Sequence, residues 1–193
     1  MTSYTCDATV LFCDIRNFTT LLENQKPIEA VRFANEVLAV LGNEIEINGG
    51  TVDRFTGDGF MAHFGINGKA DNHAESACNA AIDLRKRLTE INSERYRNDQ
   101  LVVNSGIGLH TGEVAVGNIT TGKITQLTIL GDTVNTASRI EGLTKFFSVD
   151  VLVSESTQMR ISDLFKFQKM PLKKLKGKEK IVQTYWLLPT NSK

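Results

Sequence analysis

The chain has 193 residues, of which 41% are hydrophobic, and its 22 basic and 22 acidic side chains give a formal net charge of zero. This length allows one sizeable core, so we expect a single domain over residues 1–193 of the α/β or α+β class. The balanced charge argues against a nucleic-acid or membrane-surface partner.

Cysteine usage indicates a reducing compartment, and hydropathy argues against a membrane-spanning segment. Cys6, Cys13 and Cys78 are odd in number and lack metal-ligand spacing, so we expect three unpaired thiols. No apolar run approaches the ~20 residues that span a bilayer, and the first ten residues lack a secretory signal. We therefore expect a cytoplasmic domain. Any attachment to a membrane would come from residues outside this chain.

The first predicted element is a strand that ends on a carboxylate. An apolar run from Val10 to Cys13 precedes Asp14, and a polar turn and an amphipathic segment follow. This pattern predicts a buried strand that brings Asp14 to the edge of a sheet, where chemistry is usually done. Taken alone, an Asp at the end of a strand is also ordinary loop chemistry.

The next elements are a helix and a hairpin. Pro27 opens a long segment with apolar residues at helical spacing, which Asn48-Gly49-Gly50 closes. Apolar runs on either side of Thr56-Gly57-Asp58-Gly59 then predict two strands with Asp58 at the tip. Asp14 and Asp58 can thus share a divalent metal site, although a Gly-Asp-Gly turn is also common in loops.

A second helix and a second hairpin follow. The helix is predicted from about Asp71 to Glu94, and a strand from Leu101 to His110. Thr111-Gly112 predicts a turn, after which Val114 to Ile119 form the next strand. The order strand, helix, hairpin, helix, hairpin resembles a ferredoxin-like βαββαβ core with its helices on one face of the sheet.

A polar pair lies on the next predicted helix, which begins at Gly131-Asp132-Thr133. Its buried stripe includes Ala137 and Ile140, whereas Asn135 and Arg139 are four residues apart and share a different face. An amide and a guanidinium so placed can grip one ligand. An Asn and an Arg on a wet helix surface are the more common occurrence.

The last predicted elements extend the core with further strands. Val149 to Val153 predicts a strand, Ser154 caps a short helix through Ile161, and Phe165 to Met170 pairs with Ile181 to Leu188. The connection of this last hairpin contains four lysines in six residues, Lys173, Lys174, Lys176 and Lys178. Such a patch is either a plain exposed hairpin or a polyphosphate contact.

Five segments resemble, in order, the catalytic domain of class III nucleotidyl cyclases: FCDIRNFT, DRFTGDGFMAHFG, GIGLHTGEVAVGNI, TILGDTVNTASRIEGLTK and LKGKEKIVQTYWL. The resemblance covers almost the whole chain and is strongest to bacterial adenylyl cyclases, including those attached to sensor domains. It implies an adenylate cyclase that makes cyclic AMP and pyrophosphate from ATP, as a homodimer with two interfacial sites. It also implies an N-terminal sensor or regulatory domain outside this chain.

The resemblance also implies a metal site and a phosphate site. Asp14, Asp58 and the backbone carbonyl of Ile15 would bind two divalent cations, Mg²⁺ or Mn²⁺, which bracket in-line attack of the ribose 3′-hydroxyl on the α-phosphate. Backbone N–H groups of the turn that ends with Phe18 and Thr19 would cradle phosphate oxygens at a helix start.

Further residues of the implied site come from the helix with the polar pair and from the lysine patch. Asn135 of the other subunit would orient the ribose, and Arg139 would stabilise charge on the α-phosphate. Lys176 matches the family lysine that contacts the terminal phosphates. Lys174 and Lys178 are expected to be surface charges, the commoner fate of lysine.

Base recognition would fall to Arg54 and Thr128, four residues before Asp58 and seven before Asn135. Adenylyl members of the family usually have Lys at the first position and Asp or Thr at the second. Arg54 departs from that pattern, so a guanylate or dual-specificity cyclase stays open.

Two other functional classes also stay open. Diguanylate cyclases share the fold and the two-carboxylate chemistry, but their Gly-Gly-acidic-acidic-Phe motif is absent from the sequence. A catalytically inactive domain that binds nucleotide and regulates a partner is the second class, and the filled metal and transition-state positions argue against it. His63, His73 and His110 lack ligand spacing and are predicted to lie in a strand, at a helix start and in a turn.

Overall fold

The computed structural model describes residues 3–23, 26–66, 72–174 and 181–189. Within these ranges the strands are β1 (Tyr4–Ile15), β2 (Thr51–Phe55), β3 (Gly59–Phe64), β4 (Ser105–Thr121), β5 (Ile124–Leu130), β6 (Val151–Ser154), β7 (Phe167–Lys169) and β8 (Thr184–Leu187). The α-helices are α1 (Phe18–Leu22), α2 (Pro27–Ala34), α3 (Val40–Ile47), α4 (His73–Arg97), α5 (Asp132–Phe147) and α6 (Glu155–Ile161). A π-helical turn, Asn35–Ala39, joins α2 to α3, so the single helix predicted after Pro27 is interrupted.

The sheet confirms the predicted α+β core. Its strand order is β2-β3-β1-β4-β6-β8-β7, and β5 pairs with the second half of β4. The central strand β1 is antiparallel to both β3 and β4. The order β2-β3-β1-β4, with helices before β2 and before β4, is that of a ferredoxin-like βαββαβ core. The strands β6, β7 and β8 are the predicted C-terminal extension.

The two faces of β1 face different helices. Leu11 and Cys13 pack in one cluster with α3 and α4, whereas Ala8 and Val10 pack in another with Ala137 of α5. Successive residues of a strand point to opposite faces, so α5 lies across the sheet from α4. The prediction that the helices of the βαββαβ core share one face is therefore confirmed, whereas α5, which follows that core, lies on the other face.

The predicted turn at Thr111-Gly112 is wrong, because β4 runs straight through it. Thr111 is buried, and its hydroxyl hydrogen-bonds those of Thr9 in β1 at 2.8 Å and Thr157 in α6 at 2.9 Å. A Cβ on Gly112 would lie 2.9 Å from Thr133 Oγ1, so this glycine makes room for the start of α5 instead of turning the chain. His110 accordingly lies in a strand and not in a turn.

A third cluster packs against α5. Its buried residues are Ile140, Leu152 and Met170, beside the partly buried Trp186, the single tryptophan of the chain. The indole N–H of Trp186 donates to Asp150 Oδ1 at 2.9 Å, and Arg85 of α4 donates to the same carboxylate from Nε at 2.5 Å and from Nη2 at 3.0 Å. Burial would raise the pKa of Asp150, but these hydrogen bonds and the charge of Arg85 outweigh it and lower that pKa.

Two smaller predictions, the helix cap and the free thiols, are confirmed. Ser154 caps α6, because its hydroxyl accepts a hydrogen bond from the N–H of Thr157. Cys6, Cys13 and Cys78 are unpaired thiols. Among the described residues, none of the helices combines the length and the hydropathy that crossing a bilayer requires.

Candidate functional site

The end of β1 and the tip of the β2–β3 hairpin bring two carboxyl groups together. Asp14 pairs with Gly59, and the N–H of Ile15 donates to the carbonyl of Asp58 at 2.8 Å. A side chain on Gly59 would overlap the carbonyl oxygen of Cys13, so the hairpin reaches β1 only with glycine there. The carboxyl groups of Asp14 and Asp58 lie close enough for the charge of Asp58 to raise the pKa of Asp14. The predicted convergence of these two residues is therefore observed.

The electrostatics of this pair suit a divalent cation. Burial, the charge of Asp58 and a hydrogen bond that protonated Asp14 donates to it raise the pKa of Asp14 to about 6, and the charges of Arg16 and Lys145 only partly oppose this. Within the described ranges no three His, Cys, Asp or Glu side chains are arranged to hold a metal ion. Two carboxylates, a carbonyl such as that of Ile15, water and substrate phosphates are nevertheless a ligand set that Mg²⁺ commonly takes.

A third carboxyl group, that of Glu141 in α5, faces the same pair. Gly106 lies opposite Asp14 in the β1–β4 ladder, and a Cβ on Gly106 would lie 2.5 Å from Glu141 Oε1. Burial and then the charge of Asp14 raise the pKa of Glu141 to about 7. Glu141 was not predicted from the sequence. The glycines of Gly106-Ile107-Gly108 could have indicated it, because glycines within a strand permit the close approach of a helix.

Asn135 and Arg139 lie on the part of α5 that is turned away from the sheet. Within the described ranges neither side chain makes a hydrogen bond or an ion pair. Arg139 and Glu141 are two residues apart, which places them about 200° apart around the helix axis. Because Glu141 faces the carboxylates of its own chain, Arg139 faces away from them.

The two residues predicted to bind the base are in contact. Arg54 lies in β2 and Thr128 in β5, and the Nη2 of Arg54 donates to Thr128 Oγ1 at 3.1 Å. Thr128 is 5% exposed, whereas the side chain of Arg54 is 41% exposed. The pair thus presents guanidinium donors to solvent above a nearly buried hydroxyl.

The predicted phosphate residues are only partly described. The helix α1 begins at Phe18 after Asn17, whose φ of 57° is left-handed and whose side chain does not cap the helix. The first N–H groups of a helix have no acceptor within it, so those of Phe18 and Thr19 stay candidates for phosphate oxygens. Lys176 lies outside the described residues, and its role stays a prediction.

Comparison with known sequences gives the same family over nearly the whole chain. The family described as the adenylate and guanylate cyclase catalytic domain matches residues 2–189. An adenylate cyclase of Anabaena cylindrica is 36% identical over 184 residues, which are 92% of this chain and 36% of that protein. The chain thus spans little more than a third of the length of this relative.

Solved structures match the fold closely. The guanylyl cyclase Cya2 has a TM-score of 0.90 at 27% identity, over 99% of this chain and 96% of that one. The adenylyl cyclase CyaB from P. aeruginosa has a TM-score of 0.87 at 26% identity, over 99% and 98% of the two chains. With the paired carboxyl groups at the end of β1 and the agreement over residues 2–189, the chain belongs to the class III family of adenylate and guanylate cyclase catalytic domains.

Proposed function

We propose that this chain is the catalytic domain of an adenylate cyclase that converts ATP to 3′,5′-cyclic AMP and pyrophosphate. The observation that carries the proposal is the convergence of Asp14 and Asp58 where the β2–β3 hairpin meets the end of β1, in a chain of the cyclase family. Burial and the charge of Asp58 raise the pKa of Asp14, so a multivalent cation that holds both carboxylates relieves an unfavourable arrangement. The identity to an Anabaena adenylate cyclase supports ATP as the substrate.

The two carboxylates and the carbonyl of Ile15 would hold two divalent cations, Mg²⁺ or Mn²⁺. Such ions, when bound, acidify the ribose 3′-hydroxyl and neutralise the triphosphate, so no separate protein base is needed. Around them, the N–H groups of Phe18 and Thr19 bind phosphate oxygens, and Lys176 contacts the terminal phosphates.

The remaining groups come from a second copy of the chain, so each site of the homodimer is shared. Asn135 of the partner subunit orients the ribose, and the partner's Arg139 stabilises the charge on the α-phosphate during attack. The outward face of α5 supports this, because Arg139 faces away from the carboxylates of its own chain. Exposed Leu127 and Leu130 in the β5 strand offer apolar area to such a partner.

Adenine would be bound by Arg54 and Thr128. The N1 of adenine accepts a hydrogen bond and its 6-amino group donates one, so a guanidinium and a hydroxyl acceptor match it. A guanylate or dual-specificity cyclase is the second candidate, because a guanidinium also pairs bidentately with the O6 and N7 of guanine. The fold similarity to the guanylyl cyclase Cya2 supports that candidate equally.

We also propose that a sensor or regulatory domain outside this chain controls the cyclase in the cytoplasm. The support is that the chain corresponds to only 36% of the similar Anabaena adenylate cyclase.

The test is a product assay with equimolar ATP and GTP in the presence of Mn²⁺, read by chromatography. We expect cyclic AMP as the main product and none after chelation of the metal. If the main product were cyclic GMP, the adenylate assignment would be refuted, but the assignment as a nucleotide cyclase would stand. A protein that binds ATP with Mn²⁺ but forms neither product would instead favour the regulatory nucleotide-binding domain.

A further inference from the structure

The β2 strand contains a buried acidic residue directly beside the proposed base site. Val52 pairs with Ala62 and Arg54 pairs with Met61, so Asp53 is an extra residue, or bulge, between them. A bulge changes the direction in which side chains leave a strand. The side chain of Asp53 is only 2% exposed, and its Oδ2 lies 2.9 Å from the Nε of Arg54.

Asp53 also contacts the other half of the base site. Its Oδ2 lies 3.4 Å from Thr128 Oγ1, the same hydroxyl oxygen that accepts from the Nη2 of Arg54 at 3.1 Å. A guanidinium can only donate hydrogen bonds, and a carboxylate can only accept them. The one proton of the Thr128 hydroxyl therefore points to Asp53, and the oxygen faces any further partner as an acceptor.

We propose that Asp53 is a positioning residue for base selection, because it holds Thr128 as a hydrogen-bond acceptor and Arg54 as a fixed donor. This inference rests on the proposed function. An acceptor at Thr128 matches the 6-amino group of adenine and repels the 6-oxo group of guanine. Asp53 thus sets the preference for ATP through Arg54 and Thr128, the two residues that contact the base. Without Asp53, the Thr128 hydroxyl is free to donate a hydrogen bond to the 6-oxo group of guanine.

The test is Asp53→Ala, with cyclic AMP and cyclic GMP measured from an equimolar mixture of ATP and GTP. Both contacts of Asp53 are made by its Oδ2, so alanine removes the acceptor of the Thr128 proton and the partner of the Arg54 Nε together. We expect the ratio of cyclic AMP to cyclic GMP to fall about fivefold, the effect of one reversed hydrogen bond. Asp53→Leu, which also lacks an acceptor, should lower the ratio in the same direction and is the second variant if the alanine protein fails to fold.

A double-mutant cycle with Thr128→Val separates this role from a structural one. Valine keeps the shape of threonine without the hydroxyl, so in this background Asp53→Ala can act only through Arg54 and should lower the product ratio less than it does beside Thr128. An equal fall in both backgrounds would overturn the proposal, as would an unchanged ratio in folded, dimeric Asp53→Ala protein. Wild-type protein that makes mainly cyclic GMP, or no cyclic nucleotide, would refute the proposed function itself, before any variant is compared.

Discussion

Two carboxyl groups in the site have proton affinities that change on folding. In the unfolded chain Asp14 and Glu141 titrate near pH 4, whereas the fold raises their pKa values to about 6 and about 7. Between these limits the folded, metal-free protein binds more protons than the unfolded chain. The contribution of these groups to the free energy of unfolding therefore falls as the pH rises from about 4 to about 7.

The first prediction is that Glu141→Gln stabilises the metal-free protein at pH 7.5 and that this gain shrinks towards pH 4.5. The amide carries no charge that must be buried beside Asp14 at high pH, whereas at low pH the wild-type acid is also neutral. Calorimetric melting in the presence of a chelator measures it. Exposed Glu94, changed to Gln, is the matched control and should show no such pH-dependent difference. A gain that grows towards low pH would contradict the assignment.

The second prediction concerns Asp58. We expect Asp58→Asn to keep the fold and to lose turnover by several orders of magnitude, because a neutral amide is a poor ligand for Mg²⁺ or Mn²⁺. The measurement is kcat at saturating ATP, with circular dichroism for the fold. Asp163→Asn, at an exposed position, should leave kcat unchanged. Near-normal turnover in the Asp58 variant would show that the hairpin tip is only structural.

At the residue level the sequence predicted which residues form the site better than it predicted the contacts that those residues make. Asp14 and Asp58 were identifiable from the strand and turn patterns, and Arg54 and Thr128 from the family resemblance; the structure brings each pair together. Glu141 was not identifiable, because a Glu on a helix is normally solvated and only the strand beneath it shows that it is buried. The direction of the Thr128 proton depends on three side chains from two strands, and no local pattern contains that information.

Among the secondary-structure elements, α5 packs closely against β4 at a glycine of that strand. A Cβ on Gly108 would overlap the backbone of Glu141, whereas a Cβ on Gly142, on the outer side of α5, meets nothing within 4 Å. Close backbone contact therefore sets the distance from α5 to the sheet. It also sets how near Glu141 comes to Asp14.

The third prediction uses these two glycines as a matched pair. Gly108→Ala should lower the free energy of unfolding by about 1–3 kcal/mol, the usual cost of overpacking. Gly142→Ala should raise it by about 0.5–1 kcal/mol, because alanine loses less backbone entropy in a helix. Urea denaturation of both proteins measures the difference. Equal effects of the two substitutions would contradict close packing of α5 on β4.

Elements in which apolar residues recur at a regular spacing were predicted well, and the elements that were predicted wrongly have physical explanations. The helix before β2, the helix α4 and the hairpin around Asp58 all follow from apolar spacing. The turn predicted at Thr111-Gly112 failed because Thr-Gly is a turn pattern only where the chain is exposed. Here Thr111 is buried and hydrogen-bonded to Thr9 and Thr157, and Gly112 leaves room for the start of α5. Which face of the sheet α5 covers depends on long-range packing that periodicity does not contain.

For the whole molecule, the fourth prediction is that two inactive proteins complement each other. Asp14→Ala lacks a metal ligand and Arg139→Ala lacks the group given to the partner, so neither homodimer has a complete site. A mixed dimer has one intact site of two, and random exchange makes roughly half of the dimers mixed, so about a quarter of wild-type activity should return. Activity should also fall on dilution below the dimer dissociation constant. A mixture that stays inactive while mixed dimers form would refute the shared site.

The single tryptophan gives the domain an internal optical reporter. Trp186 packs in the same cluster as Ile140 of α5, and its indole N–H is tied to Asp150. The proposed base site takes Arg54 from β2, at one edge of the sheet, and Thr128 from β5, whereas β8 pairs with β7 at the other edge. A shift of the emission wavelength of the unlabelled protein on nucleotide addition would therefore report a change around Trp186, where α5 packs.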